Sequence, residues 1–153
     1  MGIISEELKA QINQSTSLKA VTAVLKSGIP HTAYKGSLHI DEDGRIAFFD
    51  FLESSKINEA LVYAIWFDKY VTVNILTEDK KSYEIIGKPE KSITQGRYFE
   101  EVYKKVKKER DFDLNAIWVI EPVEVREQTF AVRKKQQEDE YPFLKHLDRA
   151  VKQ

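Results

Sequence analysis

The residues of this chain best placed to do chemistry are Ser54, Ser55 and Lys56. They follow a strand-like run, Arg45–Leu52, and open a segment with helical spacing. A helix start offers free backbone N–H groups and the positive end of the macrodipole. Two hydroxyls and an ammonium added there make a socket for a phosphate. The position of Lys56 carries the argument. A cation in the first helical turn faces the wrong end of the dipole, and an anionic ligand would remove that conflict. The same residues admit a plainer role, in which Ser54 caps the helix, Lys56 stands in water and Glu53 partly offsets its charge.

Other reactive groups are sparse. The three histidines are His31, His39 and His146. No two are spaced i, i+4, and none has a carboxylate at metal-ligand spacing, so a hydrolytic zinc site is not expected. His39 reads as a surface residue beside a turn. His31, after Pro30, either lines a ligand cleft or sits at a strand edge. Zero cysteines exclude a thiolate nucleophile and a disulfide frame. Gly28, Gly36 and Gly44 do not spell a dinucleotide fingerprint, and no phosphate-binding GxxxxGK[ST] run exists. Ser37 lacks the GxSxG context of an elbow nucleophile.

Bulk properties narrow the class further. The chain has 153 residues, 42% apolar and 32% charged, with net charge −1. That favours one soluble domain with a sizeable core and no global attraction to nucleic acid or acidic membrane. The basic run Lys104–Lys108 lies on the outer face of an amphipathic helix beside Glu100, Glu101 and Glu109, as a solvated face does. No apolar run reaches membrane-spanning length. The start turns polar too soon for a secretory signal. The absence of cysteine makes a cytoplasmic home the expectation.

The elements that must position these residues follow from periodicity. Ser5 caps a short helix to about Gln14, with Leu8 and Ile12 on one face. Lys19–Leu25 is a strand. His31–Ile40 is a second strand, bent at Gly36, which returns through the Asp41–Gly44 turn into Arg45–Leu52 as a hairpin. Ser54–Tyr63 is a helix with Ile57, Ala60, Leu61 and Ala64 on one face. Ile65–Leu76 reads as a strand, then Ser82–Gly87 as another, closed by Pro89. A capping-box spacing at Ser92–Gln95 starts a helix to about Lys108. Ala116–Ile120 and Val123–Phe130 are two more strands, parted by Pro122. From Arg133 the chain is highly charged, a linker or frayed helix, with a short terminal helix over Tyr141–Ala150. Strands that do not alternate with helices argue against a doubly wound sheet and for an antiparallel Greek-key barrel. Phe48, Phe49 and Phe51, with Trp66 and Phe67, form the main aromatic cluster. Phe49 and Phe51 point to one face.

At this stage an ordered series of segments resembles a known family. Pro30-His31, Ser37-Leu38, Asp43-Gly44-Arg45-Ile46 and Ser54-Ser55-Lys56-Ile57-Asn58, followed by Val71–Leu76, Tyr83–Pro89, Phe99–Tyr103 and Ile117–Pro122, resemble the FMN-binding split barrels related to pyridoxamine 5′-phosphate oxidase. The resemblance covers about residues 17 to 130. It implies a mainly β protein, a six-stranded antiparallel Greek-key split barrel over 17–132. An N-terminal helix (1–16) would precede it and a charged tail (133–153) would follow. It also implies a homodimer with FMN at the interface and a small-molecule redox substrate. In such proteins the segment matching Ser54-Ser55-Lys56 lies at the flavin phosphate. Lys56 would then neutralise the phosphate, Ser54 or Ser55 would donate to it, and Asn58 would add a donor or orient Lys56. Ser37 and His31 would face the flavin, with the ring near Phe49 or Phe51 and the partner's Trp66.

Departures accompany the resemblance. The oxidases carry Arg-Lys where this chain has Ser55-Lys56, and an arginine where Ala33-Tyr34-Lys35 stands. Lys35 would substitute as a point charge without the bidentate fork. The Arg and His pair of the true oxidases is not visible in Ile117–Arg133. Two readings therefore stand: a small FMN-dependent oxidoreductase of unknown substrate, or a non-enzymatic dimeric barrel that has lost FMN or binds another flat ligand. A haem-handling relative, with His146 as the free candidate, ranks last.

Overall fold

The computed structural model describes residues 2–52 and 54–141. The elements in order are α1 (Glu6–Ile12), β1 (Leu18–Val24), β2 (Pro30–Tyr34), β3 (His39–Ile40), β4 (Ile46–Asp50) and α2 (Lys56–Trp66). They continue with β5 (Val71–Leu76), β6 (Ser82–Ile93), α3 (Arg97–Arg110), β7 (Ala116–Glu127) and α4 (Phe130–Glu140). Among the described residues the seven strands join one antiparallel sheet, ordered β2-β1-β5-β6-β7-β4-β3. The sheet curls into a half-barrel. The six strands implied by the resemblance are seven here: the run His31–Ile40 is two strands, and the two expected on either side of Pro122 are one. The first half of His31–Ile40, β2, pairs with β1, whereas only His39 and Ile40 pair back onto Ala47 and Ile46. The Asp41–Gly44 turn is as expected, with Gly44 at φ 78°. The Asp41 carboxylate accepts from the Asp43 and Arg45 N–H groups inside it.

Alternation sorts the strands into an inner and an outer face. Ile46 and Phe48 of β4 and Ala116, Trp118 and Ile120 of β7 join Val21, Ala23, Val73, Ile75 and Ile85 in the core. The helix α2 lays its expected face on them, with Ile57, Ala60, Leu61 and Ala64 all buried. The helix packs against β1, β2 and β6 and runs on to Trp66. The strand expected from Ile65 therefore begins only at Val71, after Asp68 turns the chain at φ 52°.

Two long strands also differ from expectation. β6 runs through Pro89 to Ile93, and β7 runs through Pro122, because register shifts at Ile86/Gly87 and Pro89/Lys91 accommodate the prolines. Ser92 is thereby paired opposite Trp118 and caps nothing; α3 starts instead at Arg97, after Gly96 at φ 101° and with no side-chain cap. At the first bulge β6 and β7 come so close that a Cβ on Gly87 would lie 2.7 Å from Ile120 Cγ2 and 2.9 Å from the Glu121 carbonyl oxygen. The strand expected to reach Phe130 ends at Glu127, and the charged segment from Arg133 continues a helix, α4, that opens at Phe130 and has no buried residue. His146 and most of the expected terminal helix lie outside the described residues.

Candidate functional site

The start of α2 sits at the end of the inward row of β4. Ile46, Phe48 and Asp50 alternate onto one face, which makes Asp50 the last inward residue, 1% exposed and opposite Ala116 on β7. Asp50 was not among the residues singled out from the sequence, yet the local polar network is built on it. The Ser55 hydroxyl donates to Asp50 Oδ2 at 2.9 Å. Ser55 Oγ in turn accepts from the Asn58 N–H at 3.1 Å, which makes Ser55, and not Ser54, the N-cap. Lys35 Nζ lies 3.7 Å from Asp50 Oδ1 and 5.4 Å from the centre of the Phe48 ring. The Asp50 carbonyl accepts from the Asn115 N–H.

The remaining predicted residues divide. Asn58 does not orient Lys56: its Oδ1 accepts from the buried Trp118 indole at 3.1 Å and ties the helix start to β7. Lys56 turns outward to Glu59, 3.5 Å away, with both side chains more than half exposed. Ser54 is exposed. The Ser37 hydroxyl accepts from the Phe49 N–H at 2.9 Å and so fixes the loop between β2 and β3 on β4. His31 is half-buried in β2, opposite Ala23. Phe51 sits edge-on to Phe49 and tilted against Phe112, with ring centres 6.5 and 5.4 Å away. Trp66, 78% exposed, ends α2 about 15 Å along the helix axis from its start. The structure thus brings Lys35, Ser55 and Asn58 together and leaves Ser54, Lys56 and Trp66 in solvent.

Two further residues escaped the sequence reading. Lys19 is buried on β1 and donates to the Leu38 carbonyl at 2.9 Å, and burial lowers its pKa. Its own carbonyl accepts from the Lys35 N–H, so it braces the loop that presents Lys35. The signal was a lysine inside an apolar strand, KAVTAVL. On the outer face, His39 is not a free surface residue. Its Nδ1 lies 2.8 Å from the Ser37 carbonyl oxygen, which fixes that nitrogen as the donor, and its ring meets Phe49 edge-on at 5.8 Å. His39 also lines a cavity of about 1050 Å³ with Arg45, Ala47, Lys91, Tyr98 and Val119. None of the predicted ligand residues lines it. Among the described residues no group of three His, Asp or Glu could hold a metal ion, and no helix is long and apolar enough to cross a membrane.

No family model and no curated protein matches the sequence. Solved structures do match. HupZ of Group A Streptococcus is 18% identical over 83% of this chain and 95% of its own, with a TM-score of 0.66. An FMN-binding protein from Syntrophomonas wolfei is 14% identical over 80% of this chain and 84% of its own, with a TM-score of 0.59. A pyridoxamine 5′-phosphate oxidase-like protein from Lactobacillus delbrueckii is 19% identical over 80% and 92%, with a TM-score of 0.55. An F420 reductase and a heme storage protein share the architecture as well. At such identities the likeness establishes the fold. The chain has the split-barrel fold of the FMN-binding and pyridoxamine 5′-phosphate oxidase-like proteins. Which ligand that fold holds is decided by residues and not by topology.

The residues at the α2 start do not fit a flavin phosphate in the way the resemblance implies. The Ser55 hydroxyl and the Lys35 ammonium both face Asp50, and Lys56 faces Glu59. The phosphate end of FMN would meet a buried carboxylate where it needs donors and positive charge.

Proposed function

We propose that the chain is a split-barrel binding protein that holds a flat, flavin-type ring at a seam between two copies, in the manner of a small cytoplasmic oxidoreductase with a small-molecule substrate. The observation that carries this reading is the fold itself, shared across about four-fifths of the chain's length with proteins that include an FMN-binding one and oxidase-like ones. Exposed apolar side chains at the end of α2, namely Ile65, Trp66 and Phe67, supply surface for a second copy. The bound ring would carry electrons, and the chain would supply binding and orientation. The reading extends to the ring alone, because the phosphate end does not fit.

A second reading is favoured by Asp50. A barrel whose phosphate socket faces an internal carboxylate has given up FMN, and either takes another flat ligand or acts without one. Titration of the apo protein with riboflavin and with FMN, followed by flavin fluorescence, separates the two. Quenching that saturates near one flavin per chain with either compound supports the first. No quenching by either, at concentrations to the high micromolar range, leaves the second.

A further inference from the structure

We infer that Asp50 is a built-in anion that takes the place a ligand's phosphate would need, so that the site at the α2 start selects a flat ligand bearing no phosphate at that end. The inference deepens the flavin-type reading by naming the ligand class, and it rests on that reading only for the ring. Three groups that would serve a phosphate converge here: the Ser55 hydroxyl, the Lys35 ammonium and the first turn of α2. The carboxylate engages the first two directly and reaches the third only through Ser55. Oδ2 takes the Ser55 O–H at 2.9 Å, Lys35 Nζ stands 3.7 Å from Oδ1, and Ser55 in turn holds the Asn58 N–H at 3.1 Å. Oδ1 also lies 3.5 Å from the Leu52 N–H. With 1% exposure Asp50 has little water to screen it, and the register of β4 on β7 fixes it in place. A second anion brought to the same donors would face a like charge at short range in a poorly screened setting.

Riboflavin and FMN share the ring and the ribityl chain and differ by the phosphate alone, so their ratio reads the socket directly. The unaltered chain should bind riboflavin at least as tightly as FMN. Asp50→Asn keeps the shape and an acceptor for Ser55 but frees Lys35, and should shift the ratio toward FMN by tenfold or more. A flavin-free measurement runs beside it. Inorganic phosphate, set against chloride of equal ionic strength, should raise the melting temperature of Asp50→Asn and leave the unaltered chain unmoved. The double variant with Lys35→Met should lose the response. If Asp50→Asn does not fold, Asp50→Ser carries both measurements. A tenfold preference of the unaltered chain for FMN overturns the inference, as does phosphate stabilising it as much as the variant. A folded Asp50 variant indifferent to phosphate overturns it too. A phosphate response confined to the variant, with no flavin bound by either protein, upholds the internal anion and rejects the flavin-type reading instead.

Discussion

The two ends of α2 are built on opposite terms. At its start, a serine, a lysine, an asparagine and an aspartate close on one another, and through Asn58 on the buried Trp118. At its end, Ile65, Trp66 and Phe67 stand 41, 78 and 60% exposed. A closed polar network in a protein interior is costly to disturb, since removing one member leaves others unpaired. An exposed aromatic end costs the monomer little to change and offers apolar surface to a partner. The residue pattern that looks most like a binding site is thus largely consumed by the fold, whereas the surface that looks unfinished lies at the other end.

The largest way to break this contrast is at Trp118. It is 1% exposed and is the anchor of Asn58. Trp118→Ala should cost about 3–5 kcal/mol in urea unfolding, the range for emptying a large aromatic site. Trp118→Phe should cost less, through the lost indole bond. A cost near zero for Trp118→Ala would mean that the closed end is not part of the cooperative core.

Ser55→Ala comes next. It removes the helix cap and leaves Asp50 without its hydroxyl donor, for about 2 kcal/mol. Ser54→Ala, one residue earlier and exposed, should stay within about 0.5 kcal/mol. Equal effects for the two serines would return the cap to Ser54 and dissolve the network around Asp50.

How much of this was legible is best seen in particular residues. Ile57, Ala60, Leu61 and Ala64 announced the buried face of α2, and Asp41–Gly44 announced its turn, because helical spacing and positive φ are local properties. The end of α2 was not legible. Ile65-Trp66-Phe67 looks like a strand by propensity, yet its first two residues continue the helix whose buried face, Ile57 to Ala64, packs on the sheet. Asp50 was hidden for a related reason. An aspartate closing a strand looks like a solvated loop residue until β4 is registered on β7, which turns it inward opposite Ala116. Ser55 and Lys35 were found, but their shared partner was not, and the partner changes what they are for.

Lys19 sharpens the contrast by pH. It is buried at the closed end with a carbonyl for its partner, and burial lowers its pKa below the ordinary 10.5. Between that lowered value and 10.5 the unfolded chain binds more protons at this site than the folded one. The stability contributed by Lys19 therefore rises as pH increases through that window and is smallest where the lysine is charged in both states. Lys19→Met should remove this rise. The readout is the difference in unfolding free energy between the two proteins from about pH 8 to about 10, the region just below where a solvated lysine titrates. A difference that stays flat, or falls, would show that Lys19 is not desolvated.

Trp66 has the smallest expected effect on the fold and the sharpest bearing on the contrast. Trp66→Ser removes an exposed ring at the helix end, and the unfolding free energy of dilute protein should move by no more than about 0.5 kcal/mol. If the open end meets a second copy, the mass seen by light scattering should fall toward that of one chain, and stability should lose its dependence on protein concentration. An unchanged mass in a protein that is dimeric to begin with would move the seam elsewhere on the barrel. A concentration-independent loss of about 1 kcal/mol or more would instead make Trp66 part of the monomer's own packing. The two ends of α2 would then differ in polarity alone and not in what they are built to meet.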